Sequence, residues 1–120
     1  MSHYVDGYVL PVPRKKLAAC RRLARLGAKL WREHGALEFR ECAGDNLAVT
    51  MGRPFPRQLK TKPGETVVFS WIVFKSRAHR DRVNKAAMQD KRLAKMMNPK
   101  SAPFDTKRMI YGGFKVRVQA

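Results

Sequence analysis

The chain has 120 residues, of which 44% are hydrophobic and 29% are charged, the composition of one ordinary globular domain. No apolar run approaches the roughly 20 residues that span a bilayer, so we expect no membrane segment. Lys and Arg number 26 against 9 Asp and Glu, and the net charge of +17 raises the question of a nucleic-acid or other polyanionic partner. Because the first residues lack a charged segment followed by an apolar stretch, we expect a cytoplasmic protein.

The hydrophobic periodicity predicts four strands and two main helices. A strand with alternating polarity opens the chain, and Pro11 and Pro13 are predicted to end it. Apolar residues at three- and four-residue steps then indicate a long helix, after which Gly35 provides a left-handed C-terminal residue. In chain order the predicted elements are a strand at 4–10, a helix at 14–34, an edge strand at 37–42, a strand at 66–74, a helix at 77–88 capped by Ser76, a short helix capped by Asp90 and ending near Asn98 and Pro99, and a strand at 107–118.

Two glycine-containing stretches depart from the regular pattern. Residues 44–64 contain three prolines and show no clear period, so this stretch could hold a short hairpin, act as a lid or form a dimer arm. Gly112 and Gly113 lie inside the last strand, where paired glycines suggest a bulge or the close approach of another backbone.

The element order β-α-β-β-α-β predicts an α+β fold of ferredoxin-like type. In this fold a four-stranded antiparallel sheet carries its helices on one face. The other face should then be polar, but the third predicted strand is apolar on both sides, with Ser70 as the exception. Either a second copy of the chain covers the second face as a homodimer, or residues 44–64 or the C-terminus fold over it.

Five segments of the sequence resemble the YbaA-like bacterial family, a domain of unknown function. That resemblance implies a dimeric α/β barrel, in which two ferredoxin-like subunits pack sheet to sheet, and it implies no activity. The segments are VDGY at residues 5–8, WREHGALE at 31–38, GETVVFSW at 64–71, KSRAHRDRVN at 75–84 and KRMIYGGF at 107–114.

Proteins of the wider barrel superfamily that the resemblance implies bind small organic molecules in a cleft between the sheet and the helices. Aromatic and ionisable side chains could line such a cleft here, with a His or a carboxylate available as a general base. The candidate ligand-binding residues are Asp6, Tyr8, His34, Glu38, Trp71 and His79.

Each candidate also has a purely structural interpretation. Trp71 could belong to the core, His34 could cap the first helix, and Glu38 could be a solvated or salt-bridged edge residue. Asp6 lies within an apolar strand and needs a partner, so pairing with an arginine competes with a role in a site.

Neither a metal nor a cofactor is predicted from the sequence. His3, His34 and His79 are scattered, without the short spacing of metal ligands. Cys20 and Cys42 form no C-x-x-C pair, and we expect two reduced, largely buried thiols.

An alternative hypothesis is nucleic-acid or polyanion binding through the first helix. Arg22, Arg25, Lys29 and Arg32 recur at three- and four-residue steps and share one face, which could neutralise phosphates. The RNA recognition motif has the same element order, but its base-stacking strand contains glycine, which residues 67–74 lack. A solvated basic face is the favoured interpretation of the stripe. Binding alone would not establish a function, because a charge of +17 produces salt-sensitive non-specific binding in any case.

Overall fold

The computed structural model describes residues 3–98, 100 and 102–120. These residues form four strands and four α-helices, with one turn of 3₁₀ helix over Arg14–Lys16 and another over Thr106–Arg108. The elements are β1 (Tyr4–Pro13), α1 (Leu17–Glu33), β2 (Glu38–Ala43), α2 (Phe55–Leu59), β3 (Glu65–Phe74), α3 (Arg77–Met88), α4 (Lys91–Met96) and β4 (Ile110–Lys115).

The four strands form one antiparallel sheet in the order β2-β3-β1-β4. This order confirms the predicted α+β ferredoxin-like fold, with β2 at an edge of the sheet. The longest pairing joins the central strands β1 and β3, from Tyr4 opposite Phe74 to Pro13 opposite Glu65.

The sheet has an inner face, which packs against α1, α3 and α4, and an outer face on the opposite side. Two clusters of buried residues fill the space on the inner face. One contains Tyr4, Ala36, Ile72, Phe74 and Val83, and the other contains Leu10, Val12, Cys20 and Val68.

The prediction that prolines end the first strand was wrong. Pro11 and Pro13 pair in register with Val67 and Glu65 of β3. Pairing between β1 and β4 stops at Val9, so this end of β1 has a neighbour on one side only. A proline, which has no N–H to donate, is tolerated there because no second strand requires that donor.

The helix ends follow the capping residues that were predicted. Ser76 accepts a hydrogen bond from the His79 backbone N–H at 3.1 Å, and Asp90 accepts one from the Arg92 backbone N–H at 2.9 Å. Gly35 has a φ of 118°, which explains why α1 ends before it. The short helix ends at Met96, slightly earlier than predicted, and Pro99 lies outside the described residues.

The paired glycines of β4 accommodate aromatic rings without a bulge. Gly112 and Gly113 pair in regular register with Gly7 and Asp6. A Cβ at Gly113 would lie 2.8 Å from Cε2 of Tyr4, a distance that real side chains do not tolerate. The close approach is therefore made by a tyrosine ring, and the predicted bulge or approaching backbone was wrong.

Residues 44–64 contain a short helix, not a hairpin. Helix α2 packs on the outer face, where the Phe55 ring meets the Phe69 ring edge-on at 6.3 Å and Leu59 is buried. It covers one end of that face and leaves the rest open. In the part of the chain that the structure describes, no helix has the length and apolar character needed to cross a membrane.

Candidate functional site

A buried carboxylate lies at the centre of the inner face. The side chain of Asp6 on β1 has no solvent exposure, and three polar side chains surround it. Arg80 Nη1 donates to Oδ1 at 2.9 Å, while Asn84 Nδ2 and the Tyr111 hydroxyl donate to Oδ2 at 3.3 and 3.4 Å. We call Asp6, Arg80, Asn84 and Tyr111 the Asp6 cluster.

Two elements bring the partners to Asp6. Arg80 and Asn84 lie four residues apart on α3, one turn from each other on the same face. Tyr111 lies on the neighbouring strand β4, and its hydroxyl also accepts a hydrogen bond from Arg80 Nη1 at 3.1 Å. Burial raises the pKa of Asp6 above its ordinary value, while the hydrogen bond from Asn84 and the charge of Arg80 oppose that shift.

Two aromatic residues connect the Asp6 cluster to a cavity. Tyr8 faces Tyr111 across the strand pair, and their rings stack with centroids 4.8 Å apart. Burial, followed by the nearby charge of Asp6, raises the pKa of Tyr8, so the phenol remains a neutral donor in the physiological range. On the helix side, Trp31 Nε1 donates to Asn84 Oδ1 at 3.0 Å.

Tyr8 and Trp31 line a cavity between the inner face and the helices, which we call the inner cavity. Its volume is about 230 Å³. The walls are mainly apolar and come from the sheet, from α1, from α4 and from the segment before β4. Representative lining residues are Leu23, Phe39, Ile72, Leu93, Met96 and Met109.

A thiol and a carboxylate form the main polar part of the inner cavity. Cys20 Sγ lies 3.8 Å from Glu41 Oε1, in a weak hydrogen bond. Burial, followed by the charge of Glu41, raises the pKa of the Cys20 thiol to about 12. Burial also raises the pKa of Glu41. Cys20 is therefore a protonated, buried thiol, as expected of a reduced structural cysteine. Cys42 is free but exposed, so the expectation of burial was wrong for this residue.

The outer face holds two other sequence-predicted residues. Trp71 on β3 donates from Nε1 to Glu38 Oε2 at 2.8 Å, across the pair of strands β2 and β3. Glu38 also lies 3.3 Å from Arg40 Nε, so it is a salt-bridged edge residue. Trp71 and Glu38 therefore lie on the opposite side of the sheet from Asp6 and Tyr8.

The two histidines have structural partners away from the inner cavity. His34 Nε2 lies 2.9 Å from Asp90 Oδ2, which ties the end of α1 to the start of α4. His79 Nδ1 accepts from the Lys75 backbone N–H at 3.0 Å, and its ring meets Phe74 edge-on. Burial lowers the pKa of His79, consistent with a neutral acceptor.

The expectation that all six candidates line one cleft therefore needs correction. Of the six, only Tyr8 lines the inner cavity, and Asp6 is joined to it through Tyr111. Strand alternation sends Glu38 and Trp71 to the outer face. Sequence reasoning missed Arg80, Asn84 and Tyr111. The spacing of Arg80 and Asn84 was the available signal, since Val83 and Ala87 show that this face of α3 is buried.

The basic stripe of α1 is mostly exposed. Arg22, Arg25 and Lys29 are exposed to solvent, in keeping with a solvated face. Arg32 is instead used within the fold, because its Nη1 donates to the backbone carbonyls of Ala36 and Leu37 beyond the helix.

Comparison with known proteins places the chain in a family. Residues 3–106 match the family described as "Protein of unknown function (DUF1428)". The chain belongs to this family. It is 42% identical over 112 residues to the "Uncharacterized protein YbaA" of Escherichia coli K12, which covers 93% of this chain and 94% of the relative. The YbaA protein of Shigella flexneri matches equally well.

Among solved structures, the chain is similar to "De novo designed protein Foldit4". The TM-score is 0.45 and the identity is 11%, over 98% of this chain and 99% of the other. The resemblance to YbaA-like proteins noted from the sequence is confirmed by the family match and by the identity to the two bacterial relatives.

Proposed function

We propose that this protein is a homodimer that binds a small organic molecule in the inner cavity. The observation that carries the proposal is the inner cavity itself, an apolar space of about 230 Å³ joined through Tyr8 and Trp31 to the hydrogen-bonded cluster around the fully buried Asp6. Small-molecule sites commonly combine apolar walls with a few fixed polar groups. Tyr8 and Trp31 provide both properties at the point where the Asp6 cluster meets the cavity.

The Asp6 cluster supports this proposal by fixing the polar end of the site. Asp6 is held from three directions, and Arg80 also stacks over the Tyr4 ring with its Cζ 4.9 Å from the ring centroid. When the polar side chains of a site are already held by packing and hydrogen bonds, they lose little conformational freedom as the ligand binds. The entropic cost of binding is then smaller and the affinity is higher. In this proposal the cluster positions Tyr8 and Trp31, and these two residues contact the ligand.

The outer face supports the homodimer. Phe69, Ile110 and Phe114 lie on this face with 41%, 55% and 62% of their surface exposed. Around them lie further apolar side chains, and the polar members of the face come from the edge strand β2. The same face of a second copy is the cover that matches this apolar surface, because a twofold contact places each exposed ring against an equivalent apolar surface.

Nuclear magnetic resonance can test ligand binding because the two tryptophans report on the two faces. The indole N–H of Trp31 lies beside the inner cavity, and the indole N–H of Trp71 lies on the outer face. Titration of ¹⁵N-labelled protein with octan-1-ol, a neutral apolar probe, should shift the Trp31 signal in a saturable manner. The Trp71 signal is the internal control and should not follow the same curve.

Two outcomes would contradict the proposed site. If neither signal saturates, the inner cavity does not take up an apolar molecule. If only the Trp71 signal moves, the probe binds the outer face, and the inner cavity is a packing feature of the fold.

A further inference from the structure

A groove runs along the outside of the inner cavity, between α1 and the edge strand β2. We call it the α1–β2 groove, and its volume is about 570 Å³. Its floor is made of small and apolar side chains from both elements, and two arginines of α1 stand along it. The lining residues used below are Ala24, Phe39, Glu41, Arg21 and Arg25.

The groove and the inner cavity share a boundary. Ala24, Phe39 and Glu41 line both spaces. Phe39 also packs against Gly27 of α1, where a Cβ would lie 3.7 Å from the ring. A molecule that extends past the Phe39 ring would therefore have its apolar part in the inner cavity and its other end in the groove.

The two arginines give the groove its charge. Arg21 and Arg25 are four residues apart on α1 and are both exposed. Within the described residues, no carboxylate lies within ion-pairing distance of either guanidinium. Arg80 and Arg108, by contrast, are held by Asp6 and Glu65. Arg22 is exposed and, among the described residues, unpaired as well, and Arg21 and Arg25 differ from it in lining the groove. These two are thus available to an anion.

We infer that the ligand of the inner cavity is an amphiphilic organic anion, with its apolar body in the cavity and a carboxylate or similar head group on Arg21 and Arg25. This inference rests on the proposed function and adds the chemical class of the ligand. Arginine suits the role because its planar guanidinium binds carboxylates through two parallel hydrogen bonds.

Among the described residues that line the α1–β2 groove, Glu41 is the one acidic group, and it lies at the boundary with the inner cavity. Its carboxylate already accepts from Cys20 Sγ at 3.8 Å, toward the inner cavity. A head group bound to Arg21 and Arg25 would lie in the groove, on the other side of this boundary. The charged side chains that line the groove are these two guanidinium groups and the one carboxylate of Glu41. The arrangement therefore favours an anion over a cation.

The test compares three probes with the same chain and different head groups. Octanoate, octan-1-ol and octylamine are titrated separately at about 0.15 M salt, which screens non-specific attraction to a protein of charge +17. The Trp31 indole signal is followed as the measure of binding. We expect octanoate to bind about fivefold more tightly than octan-1-ol, the effect of a partly exposed ion pair, and octylamine to bind most weakly.

Two double variants distinguish a specific effect of the groove arginines on octanoate affinity from a general effect of the positive charge of α1. Arg21→Met with Arg25→Met should reduce octanoate affinity to that of octan-1-ol and leave octan-1-ol unchanged. Arg22→Met with Lys29→Met removes the same charge from the same helix outside the groove, and it should preserve the preference for octanoate.

The outcomes distinguish this inference from the proposed function. If octan-1-ol binds at Trp31 but octanoate binds no more tightly, or if octylamine is preferred, the anionic class is wrong and the cavity site stands. An equal loss in both double variants would show general electrostatics and would also overturn the inference. If none of the probes affects Trp31, the proposed function itself fails.

Discussion

The Arg80 guanidinium reaches from α3 across to the sheet and donates to the carboxylate of Asp6 at 2.9 Å. Asp6 is fully buried, and the Arg80 side chain is 14% exposed. The pair therefore joins the helix layer to the central strand in a region from which water is largely excluded. The same guanidinium contacts Tyr111 and Tyr4, so one side chain holds three sheet residues together.

Removal of Arg80 should be strongly destabilising. Arg80→Met leaves a buried carboxylate without its countercharge, which costs about 3 kcal/mol in the free energy of unfolding. Addition of Asp6→Asn should recover part of the loss, because a neutral amide needs no countercharge. Urea unfolding of the single and double variants measures both effects.

Arg82→Met is the matched control, since Arg82 is exposed on the same helix. It should change the free energy of unfolding by no more than about 0.5 kcal/mol. Equal losses for Arg80→Met and Arg82→Met would show that the pair with Asp6 does not stabilise the fold.

The sequence predicted the layout of the fold but only part of the site. The β-rich composition of β1 and β3 identified the two central strands, and the capping residues Ser76 and Asp90 define the helix starts. Asp6 was recognised as a carboxylate that needs a partner, and pairing with an arginine was one of the two expectations. Which arginine it would be depends on how α3 lies over the sheet. The spacing of Arg80 and Asn84 indicates the buried face of α3 but does not say which strand residue that face meets.

The assignment of strand faces explains why the predicted site was too broad. Glu38 and Trp71 were predicted to line the cleft because ionisable and aromatic side chains are common in small-molecule sites. The antiparallel register of β2 against β3 sets both on the outer face, where they pair with each other. Register follows from tertiary pairing and not from residue type, so composition could not separate the two faces.

The Glu65–Arg108 pair should make stability depend on acid pH. Hydrogen bonds from Arg108 and the Lys62 backbone lower the pKa of Glu65 from 4.5 to about 2. The unfolded chain then binds the proton more readily than the folded chain. The stabilisation is present above the ordinary pKa and is lost as the pH falls from about 4.5 towards 2.

Glu65→Gln should therefore flatten the pH dependence of the free energy of unfolding in this range. Asp45→Asn, at an exposed position in a loop, is the control and should keep the slope of the original protein. A slope unaltered by Glu65→Gln would contradict the lowered pKa. Urea unfolding at several pH values provides the measurement.

Substitution of Gly113 by alanine should destabilise the fold. The new Cβ would lie 2.8 and 2.9 Å from two carbons of the Tyr4 ring, which Arg80 covers and which therefore cannot move freely. We expect a loss of about 1–3 kcal/mol from overpacking, measured by thermal or urea unfolding.

Gly27→Ala provides the contrast in the same experiment. Its Cβ meets the Phe39 ring at an ordinary 3.7 Å, and alanine favours a helix over glycine by about 1 kcal/mol. Gly27→Ala should therefore be neutral or stabilising. If both substitutions destabilise equally, the crowding at Tyr4 is not the cause.

The mass in solution tests the role of the outer face. Light scattering at about 0.5 M salt, which screens the charges, should give the mass of two chains. Phe114→Lys places a charge on a residue that is 62% exposed on the outer face, and it should produce a monomer. Val118→Lys changes an exposed apolar residue near the C-terminus and should leave the dimer intact. A single-chain mass for the original protein would refute the dimer.

Filling the inner cavity tests the proposed function most directly. Ala24 faces the inner cavity from α1, and Ala24→Leu would occupy part of its volume, whereas Ala94→Leu adds the same atoms at an exposed position on α4. The affinity for octan-1-ol, followed through the Trp31 indole signal, should fall at least tenfold in Ala24→Leu and remain unchanged in Ala94→Leu. Equal affinity in the two variants would contradict the proposal that the inner cavity is the ligand site.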